Sequence, residues 1–238
     1  MLGAGGGLGS ALCAALTEAG AEVVAADAPA AQASDRHLEA DLSQRGAAAA
    51  VVERAWQTYG PLDVLAHVAG LYPAQPALAT TEELFDTVLA VNARSALAAT
   101  TKLAELCAAA GRAATVVFTS SGAAHRPRPG TVAYSASKAA LEAITRGLAL
   151  ELAESNVRVN AVAPGFVDVG STLNPMPREY VDAVGAAVPM GRVGKAADIV
   201  PNLMWLSHPS SSWVTGQVLV VDGGASLGSP STPSWIAR

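Results

Sequence analysis

Residues 3–10 of the chain are Gly-Ala-Gly-Gly-Gly-Leu-Gly-Ser, and a helical pattern follows them from residue 11 to residue 20. Glycines let the backbone approach a pyrophosphate closely, and the N-terminus of a helix presents free N–H groups with a partial positive charge. A glycine-rich string alone is a weak signal, because a flexible terminal tail has the same composition. Since a helix and then a buried strand over residues 21–27 come after it, we expect this loop to hold the phosphates of a dinucleotide.

Helical and strand patterns alternate along the rest of the chain, which indicates parallel strands joined by crossover helices. The predicted strands are 21–27, 37–41, 62–67, 114–119, 157–162 and 217–221, and the predicted helices are 11–20, 43–59, 81–110 with a break near Val91, 133–155 and 196–207. We therefore predict one α/β domain over residues 1–238, with a doubly wound, Rossmann-like parallel sheet in three αβα layers. Only Met1 and Leu2 precede the glycine loop. Either the first strand is truncated, or the start is misassigned, or another segment takes its place.

Composition and charge restrict the possible function classes. With 238 residues, 51% of them hydrophobic and 15% charged, the chain is not a disordered one. A net charge of −5 leaves no basic surface for nucleic acid or for an anionic membrane. No apolar run is long enough to span a bilayer, and two cysteines fit a reducing compartment. We expect a cytoplasmic protein that acts on a small molecule and holds no metal.

An acidic residue ends the strand that follows the glycine loop. Asp27 lies 18 residues after Gly9, and a carboxylate there can accept hydrogen bonds from both ribose hydroxyls of an adenosine while repelling a 2′-phosphate. Because no arginine or lysine adjoins it, the sequence favours NAD over NADP. The alternative is a solvated aspartate in a turn. Asp41 and Leu42 follow the next predicted strand, where the aspartate could hold the adenine amino group.

A tyrosine and a lysine four residues apart follow a serine at the end of a strand. Tyr134 and Lys138 share one face of a predicted helix, and Ser121 precedes the tyrosine by thirteen residues. A nearby ammonium favours the phenolate, so we expect the pKa of Tyr134 to lie below its usual value of about 10. Such a tyrosine can act as a base near neutral pH. The Tyr-x-x-x-Lys pattern alone is frequent by chance, but the serine and the glycine loop make chance a poor explanation.

Taken together, these motifs resemble those of the short-chain dehydrogenase/reductase family over nearly the whole chain. The matching segments are Gly3-x-x-x-Gly7-x-Gly9, Val68-Ala69-Gly70, Asn92, Ser121, Tyr134-x-x-x-Lys138, Asn160-x-x-x-Pro164-Gly165 and Val220-Val-Asp-Gly-Gly224. The resemblance implies that Tyr134 is the acid/base and that Ser121 hydrogen-bonds the reacting oxygen. It also implies that Lys138 holds the nicotinamide ribose and lowers the pKa of the tyrosine, and that Asn92 fixes a water that relays the proton.

The same resemblance implies a set of cofactor-binding positions for NAD. They are Gly3, Gly7, Leu8, Gly9, Asp27, Asp41, Leu42, Ala69, Gly70, Tyr134, Lys138, Pro164, Gly165 and Val167. Two positions depart from the family pattern. The Asn-Asn-Ala-Gly motif begins with His67 here, which we interpret as a structural replacement rather than a catalyst. Where the family places a threonine for the nicotinamide carboxamide, this chain has Val169, so either Ser171 or Thr172 substitutes for it or the contact is lost.

A narrower similarity concerns the substrate. Segment 121–138, the short connection after Asp27 and segment 221–228 are similar to bacterial 2,3-dihydro-2,3-dihydroxybenzoate dehydrogenases and to the related dihydro-hydroxyanthranilate enzymes. The similarity implies a biosynthetic, NAD-dependent oxidation of a cyclohexadiene carboxylate to an aromatic product. An arginine near the serine could clamp the carboxylate through paired hydrogen bonds. Arg128 is the first candidate and Arg126 the second, the alternative being that both are solvated loop arginines.

Other functions and the assembly state remain open at this point. The expected substrate-binding residues are Ser121, Arg128 and Tyr134. The chain could instead be another NAD-linked alcohol or ketone oxidoreductase, acting on a sugar, polyol, steroid or acyl thioester, or a cofactor-binding regulator without turnover. Members of the family are commonly tetramers, and residues 89–110 form an Ala- and Leu-rich helical stretch whose apolar surface needs a cover. We expect a homotetramer, with a dimer as the second possibility.

Overall fold

The computed structural model describes residues 1–28, 36–170 and 176–228. Its helices are α1 (Gly7–Glu18), α2 (Ala47–Tyr59), α3 (Glu82–Leu89), α4 (Ser95–Ala110), α5 (Val132–Leu152), α6 (Arg178–Ala187) and α7 (Ala196–Ser207). Its strands are β1 (Ala25–Asp27), β2 (His37–Glu39), β3 (Val64–His67), β4 (Ala114–Thr119), β5 (Val157–Pro164), β6 (Val167–Asp168), β7 (Gly194–Lys195) and β8 (Val218–Val221).

A parallel sheet forms the centre of the fold, in the order β2-β1, then Leu2, then β3-β4-β5-β8. Leu2 pairs in parallel with Ala26 on one side and with His67 on the other. Its N–H donates to Ala66 at 2.9 Å, and its carbonyl accepts from the N–H of Val68 at 2.9 Å. The first strand is thus a single bridging residue, and the glycine loop follows at the middle of the sheet.

Helices cover both faces of the sheet, as the alternation along the chain predicts. On β4, Val116 and Phe118 belong to a core that α2, α4 and α5 cover, whereas Val117 belongs to the opposite core beneath α1 and α7. Successive side chains of a strand point to opposite faces, so a short apolar run fills both layers. The three-layer αβα architecture is therefore the observed one.

The predicted helix over residues 81–110 is interrupted where the sequence indicates a break. Residues Ala90–Arg94 form a π-helical turn between α3 and α4, and Asn92 at its centre is fully buried. A π-turn inserts one extra residue into a helix and is frequently found at functional sites. It therefore presents Asn92 in a direction that a continuous α-helix would not.

Several element boundaries differ from the predicted ones. Helix α1 begins at Gly7 rather than at residue 11, and the strand predicted over residues 21–27 is confined to Ala25–Asp27. Residues 165–191, which the sequence predicts to be a loop with a short helix, contain strand β6 and helix α6, and β6 pairs in parallel with β7 just beyond them. Within the described ranges no helix is long and apolar enough to cross a membrane. Among the same residues, no group of three His, Cys, Asp or Glu side chains could hold a metal ion.

Candidate active site

The glycine loop folds back on itself so closely that two of its glycines touch. Gly3 has a φ of +85°, and a Cβ there would collide with the backbone of Ala69. A Cβ on Gly9 would overlap the carbonyl oxygen of Gly3, and one on Gly7 would lie 2.9 Å from the Cβ of Val169. Only glycine avoids these collisions. The result is a bare backbone cradle at the N-terminus of α1, which fits a pyrophosphate.

Asp27 lies beside this cradle at the end of β1. Its Oδ2 accepts a hydrogen bond from the N–H of Gly5 at 2.6 Å, and its Oδ1 accepts one from the N–H of Ala28 at 2.7 Å. The next basic residue along the chain is Arg36, whose guanidinium pairs with Glu22 at 2.8 Å. The carboxylate therefore stands next to the phosphate cradle without a neighbouring cation in the segment that follows it.

Three other expected cofactor positions lie in different surroundings. Asp41 is exposed, and hydrogen bonds from the hydroxyl and N–H of Ser43 hold the pKa of its carboxyl below the usual range. Leu42 is buried in the core beneath α2 and α4. Leu8 packs against the opposite core, together with residues of α1 and α7. Of the three, Asp41 alone presents a polar side chain that is open to a ligand.

The remaining expected cofactor positions follow the next strands at the same edge of the sheet. Ala69 and Gly70 follow β3, Pro164 ends β5, and Gly165 and Val167 come directly afterwards. A Cβ on Gly70 would lie 3.5 Å from the Nζ of Lys138, and one on Gly165 would collide with Asp222. Because parallel strands end at one edge, this side of the crevice faces the glycine cradle. Ser171 and Thr172, the suggested substitutes for Val169, lie outside the described residues.

The candidate catalytic side chains meet between β4 and α5. The hydroxyl of Ser121 lies close enough to that of Tyr134 to lower the pKa of the phenol. The Nζ of Lys138 lies 5.7 Å from the centroid of the Tyr134 ring and donates to the carbonyl oxygen of Thr119 at 2.6 Å. A hydroxyl pair backed by an ammonium can bind the oxygen of an alcohol or ketone and exchange a proton with it.

The expectation of a lowered tyrosine pKa is not met in this structure. Burial raises the pKa of Tyr134, the hydrogen bond from Ser121 lowers it, and the neighbouring Tyr72 raises it further. Burial also lowers the pKa of Lys138 to about 8. The Lys138 ammonium is directed at the Thr119 carbonyl. The loss of water around the Tyr134 phenol therefore raises its pKa by more than the neighbouring groups lower it.

Asn92 is held rigidly beside this group. Its side-chain carbonyl accepts from the N–H of Leu71 at 2.7 Å, and its amide nitrogen donates to the Leu71 carbonyl at 2.9 Å and to the Oγ of Ser137 at 2.9 Å. Ser137 in turn donates to the carbonyl of Tyr134 at 2.7 Å. The side chain of Asn92 thus connects the loop after β3 to the helix that carries the tyrosine.

His67 stabilises the π-turn through Ser95. The Oγ of Ser95 donates to the Val91 carbonyl at 2.6 Å, so the same oxygen accepts from the Nε2 of His67, 2.7 Å away. Burial, and then the positive charge of Lys138, lower the pKa of His67 to about 3. The ring is therefore neutral, and its contacts agree with the interpretation of His67 as a structural replacement.

Tyr72, which none of the sequence motifs includes, packs against the candidate tyrosine. The ring of Tyr72 meets that of Tyr134 edge to face, with centroids 4.6 Å apart. Further out, the Arg128 guanidinium lies 5.4 Å from the Phe166 ring centroid and 3.5 Å from the Tyr180 hydroxyl. Arg128 is exposed, and its charge acts on Tyr72. It therefore lies at the entrance rather than beside the reacting hydroxyls, and Arg126 is bonded to the carbonyl of Ala225.

Comparison with known proteins identifies the family. A family model described as enoyl-(acyl carrier protein) reductase matches residues 3–226. The chain belongs to the short-chain dehydrogenase/reductase family. It is accordingly an oxidoreductase that acts on CH–OH groups and binds a nicotinamide cofactor.

Relatives with several different substrates resemble this dehydrogenase/reductase. It is 32% identical over 234 residues to 3-oxoacyl-[acyl-carrier-protein] reductase of Thermotoga maritima (93% of this chain, 94% of the relative). It is 34% identical over 235 residues to the L-tagatose-forming galactitol 2-dehydrogenase of Cereibacter sphaeroides (93% and 92%). A solved structure from Beutenbergia cavernae, described as an NAD(P)-dependent gluconate 5-dehydrogenase with bound NADP, superposes with a TM-score of 0.87 at 31% identity, covering 95% of each chain.

These relatives bear on two of the finer expectations. Their names concern 3-oxoacyl, polyol and gluconate chemistry, which favours the broader alternative of another alcohol or ketone substrate. The narrower similarity to dihydrodihydroxybenzoate dehydrogenases is not supported by them. The NADP in a structural relative also leaves the choice between NAD and NADP to be decided on this chain's own residues.

Proposed function

We propose that this chain transfers a hydride between NAD and a secondary alcohol or ketone, with Tyr134 as the acid/base. The observation that carries the proposal is the convergence of Ser121, Tyr134 and Lys138 at the sheet edge that also holds the glycine cradle. A pure binding protein needs the cradle but has no use for a serine hydroxyl placed against a tyrosine hydroxyl. The convergence therefore favours turnover over a regulatory role.

Each of these residues has a distinct task in the proposed reaction. Ser121 donates a hydrogen bond to the oxygen of the substrate, and Tyr134 accepts the hydroxyl proton during oxidation or returns it during reduction. The nicotinamide, when bound, accepts or supplies the hydride. Lys138, whose Nζ lies 5.7 Å from the centroid of the Tyr134 ring, would hold the nicotinamide ribose, and Asn92 fixes the loop and helix between which the proton leaves. The cradle of Gly3, Gly7 and Gly9, the position of Gly70 against Lys138 and the carboxylate of Asp27 all fit a dinucleotide.

The preference for NAD rests on Asp27. Its carboxylate is fixed at the cradle by two backbone N–H groups, and residues 28–35 contain no arginine or lysine to neutralise a 2′-phosphate. Arg36 is engaged with Glu22. A 2′-phosphate would thus meet an unpaired negative charge, whereas a ribose diol would meet a hydrogen-bond acceptor. We expect turnover with NAD to exceed turnover with NADP.

The substrate is proposed only at the level of its class. The polyol and 3-oxoacyl relatives support a secondary alcohol or ketone in general. A cyclohexadiene carboxylate, with Arg128 as its clamp, stays the narrower candidate that a substrate panel has to test. A carboxylate requirement would favour it, and equal turnover of uncharged polyols would exclude it.

The test follows NADH absorbance with a panel of polyols, acetoin-like hydroxyketones, 3-oxoacyl thioesters and cyclohexadiene acids, offering NAD and NADP separately. Tyr134→Phe removes the single oxygen that takes the proton, and we expect a loss of turnover of about 100-fold or more. Tyr59→Phe makes the same chemical change on α2, away from the site, and should leave the turnover unchanged. If Tyr134→Phe retains wild-type turnover, Tyr134 is not the acid/base and the proposal fails; if the wild type binds NAD but turns over no substrate of the panel, the regulator is favoured.

A further inference from the structure

Glu142 is a buried acid in α5 that the proposed chemistry does not use. Its side chain is 2% exposed. Its Oε1 accepts a hydrogen bond from the Oγ of Ser120 at 2.9 Å, and its Oε2 lies 2.8 Å from the Nε2 of His125. A buried carboxylate is costly unless donors satisfy it. Ser120 and His125 flank Ser121 in the chain, one directly before it and one four residues after it.

We infer that Glu142 is a positioning residue that holds Ser121 against Tyr134. The inference rests on the proposed function of that pair and adds a residue that makes no contact with either of its hydroxyls. Ser120 cannot shift along α5 without losing its bond to Glu142, and Ser121 is attached to Ser120 by one peptide bond. The hydrogen bond between Ser120 and Glu142 therefore fixes where Ser121 lies relative to Tyr134.

The spacing on the helix explains how this works. Residues 134, 138 and 142 lie four apart, so their side chains form one stripe along three successive turns of α5. They contact three consecutive residues at the end of β4: Tyr134 contacts Ser121, Lys138 contacts the carbonyl of Thr119, and Glu142 contacts Ser120. Two hydrogen bonds, from Lys138 to the Thr119 carbonyl and from Ser120 to Glu142, thus tie the strand end to the helix, with the Ser121–Tyr134 pair at one end of the stripe.

The contact between Glu142 and His125 holds the residues after Ser121. Residues Gly122–Ala124 form a 3₁₀ turn that begins at Ser121, and His125 ends it. Glu142 therefore holds both ends of the short loop that carries the serine, through Ser120 before it and His125 after it. Arg146, one turn further along α5, approaches the same carboxylate at 3.9 Å and adds a positive charge beside it.

A satisfied acid with a merely structural role would predict something different. Its loss would lower the stability of the protein but leave the geometry of the hydroxyl pair, and hence kcat, unchanged. A positioning role predicts a fall in kcat with little change in the KM for NAD, because the cofactor cradle lies at a different part of the sheet edge. Small displacements of a reacting group cost up to about 100-fold in rate.

The experiment compares Glu142→Ala, Glu142→Gln, Ser120→Ala and the double variant Ser120→Ala/Glu142→Ala with the matched control Thr145→Ala. Thr145 is buried one turn further along α5, and its hydroxyl bonds to the Leu141 carbonyl within the helix. We expect Glu142→Ala and Ser120→Ala each to lower kcat by about tenfold or more, with the KM for NAD changed by less than about threefold. The kcat of the double variant should be no lower than that of the less active single variant, since both substitutions remove the same Ser120–Glu142 hydrogen bond.

Glutamine keeps an oxygen that can accept from Ser120 and places an amide against His125, so Glu142→Gln should restore kcat to within about threefold of the wild type. Wild-type kcat in Ser120→Ala, or equal effects of Glu142→Ala and Thr145→Ala on kcat, would overturn the inference. Should Glu142→Ala fail to fold, Ser120→Ala and Glu142→Gln still decide. Tyr134→Phe in the same series separates the two proposals: full turnover in it removes the proposed function, whereas a dead Tyr134→Phe beside an active Ser120→Ala removes only the role of Glu142.

Discussion

Substitution of His67 by asparagine should make the protein more resistant to acid. The ring of His67 is 1% exposed, and its pKa is lowered to about 3 from the 6.5 of an unfolded chain. Between these two values the unfolded state binds a proton that the folded state excludes, so lowering the pH favours unfolding. The His67→Asn variant lacks this group, and its amide can still donate to the Oγ of Ser95.

The size of the effect follows from the two pKa values. One pKa unit corresponds to about 1.4 kcal/mol, so the full span from 6.5 to about 3 corresponds to about 5 kcal/mol. Within the accessible range, from pH 6.5 to pH 5, the wild type should lose about 2 kcal/mol of unfolding free energy relative to His67→Asn. Any constant difference between the two proteins at pH 7.5 cancels from this comparison.

Urea unfolding followed by circular dichroism, at one protein concentration and at four pH values from 7.5 to 5, measures this difference. Ser95→Ala is the matched control, because it removes the partner hydroxyl but leaves the histidine buried. It should lose about 1 kcal/mol of stability at every pH while keeping the slope of the wild type. A difference between wild type and His67→Asn that stays constant across the range would refute the reasoning.

Three further outcomes are expected. Gly9→Ala places a methyl group on the Gly3 carbonyl oxygen, so NAD affinity in calorimetry should fall by about tenfold or more with the helical circular dichroism retained. Lys138→Met removes a pKa lowered to about 8, so wild-type unfolding free energy should rise relative to the variant by about 3 kcal/mol from pH 8 to 10.5. Sedimentation should give the mass of a homotetramer, and the mass of one chain would contradict that expectation.

Elements with a strong pattern of their own could be predicted to the residue. The strand Ala114–Thr119 and the helix Ala196–Ser207 have the predicted bounds. The start of α1 at Gly7 could not be predicted, because glycine disfavours helices and only the close approach of Gly9 to Gly3 shows why it is tolerated there. Residues 21–24 look like a strand, but the pairing with β2 begins at Ala25.

The site shows the same division between local and distant information. Tyr134 and Lys138 could be paired from their spacing, since one helix fixes their relative positions. The spacing also extends to Glu142 four residues on, and that signal was available in the sequence. Its partner Ser120 lies 22 residues away, and the aromatic neighbour Tyr72 comes from a different strand end, so only the fold reveals those contacts.

The direction of the Tyr134 pKa was wrong for a related reason. Spacing places an ammonium near the phenol, but it contains no measure of how much water the surrounding elements remove. In the structure the dehydration of the phenol is the largest influence, and the ammonium is directed at the Thr119 carbonyl. A sum over neighbouring charges therefore gives the wrong sign when burial is left out.

The crowding between Gly3 and Gly9 has a consequence for how such a protein can diverge. A library that randomises positions 3, 7 and 9 should yield almost no functional variants, because a methyl group at each of these glycines would lie within 2.5 Å of backbone. Within the described residues, the Asp27 carboxylate is tied to that loop by the hydrogen bond from the N–H of Gly5, so a change at position 27 removes this bond but not the packing of Gly9 on Gly3. Descendants of this chain are thus free to exchange one dinucleotide for another while retaining the same grip on its phosphates.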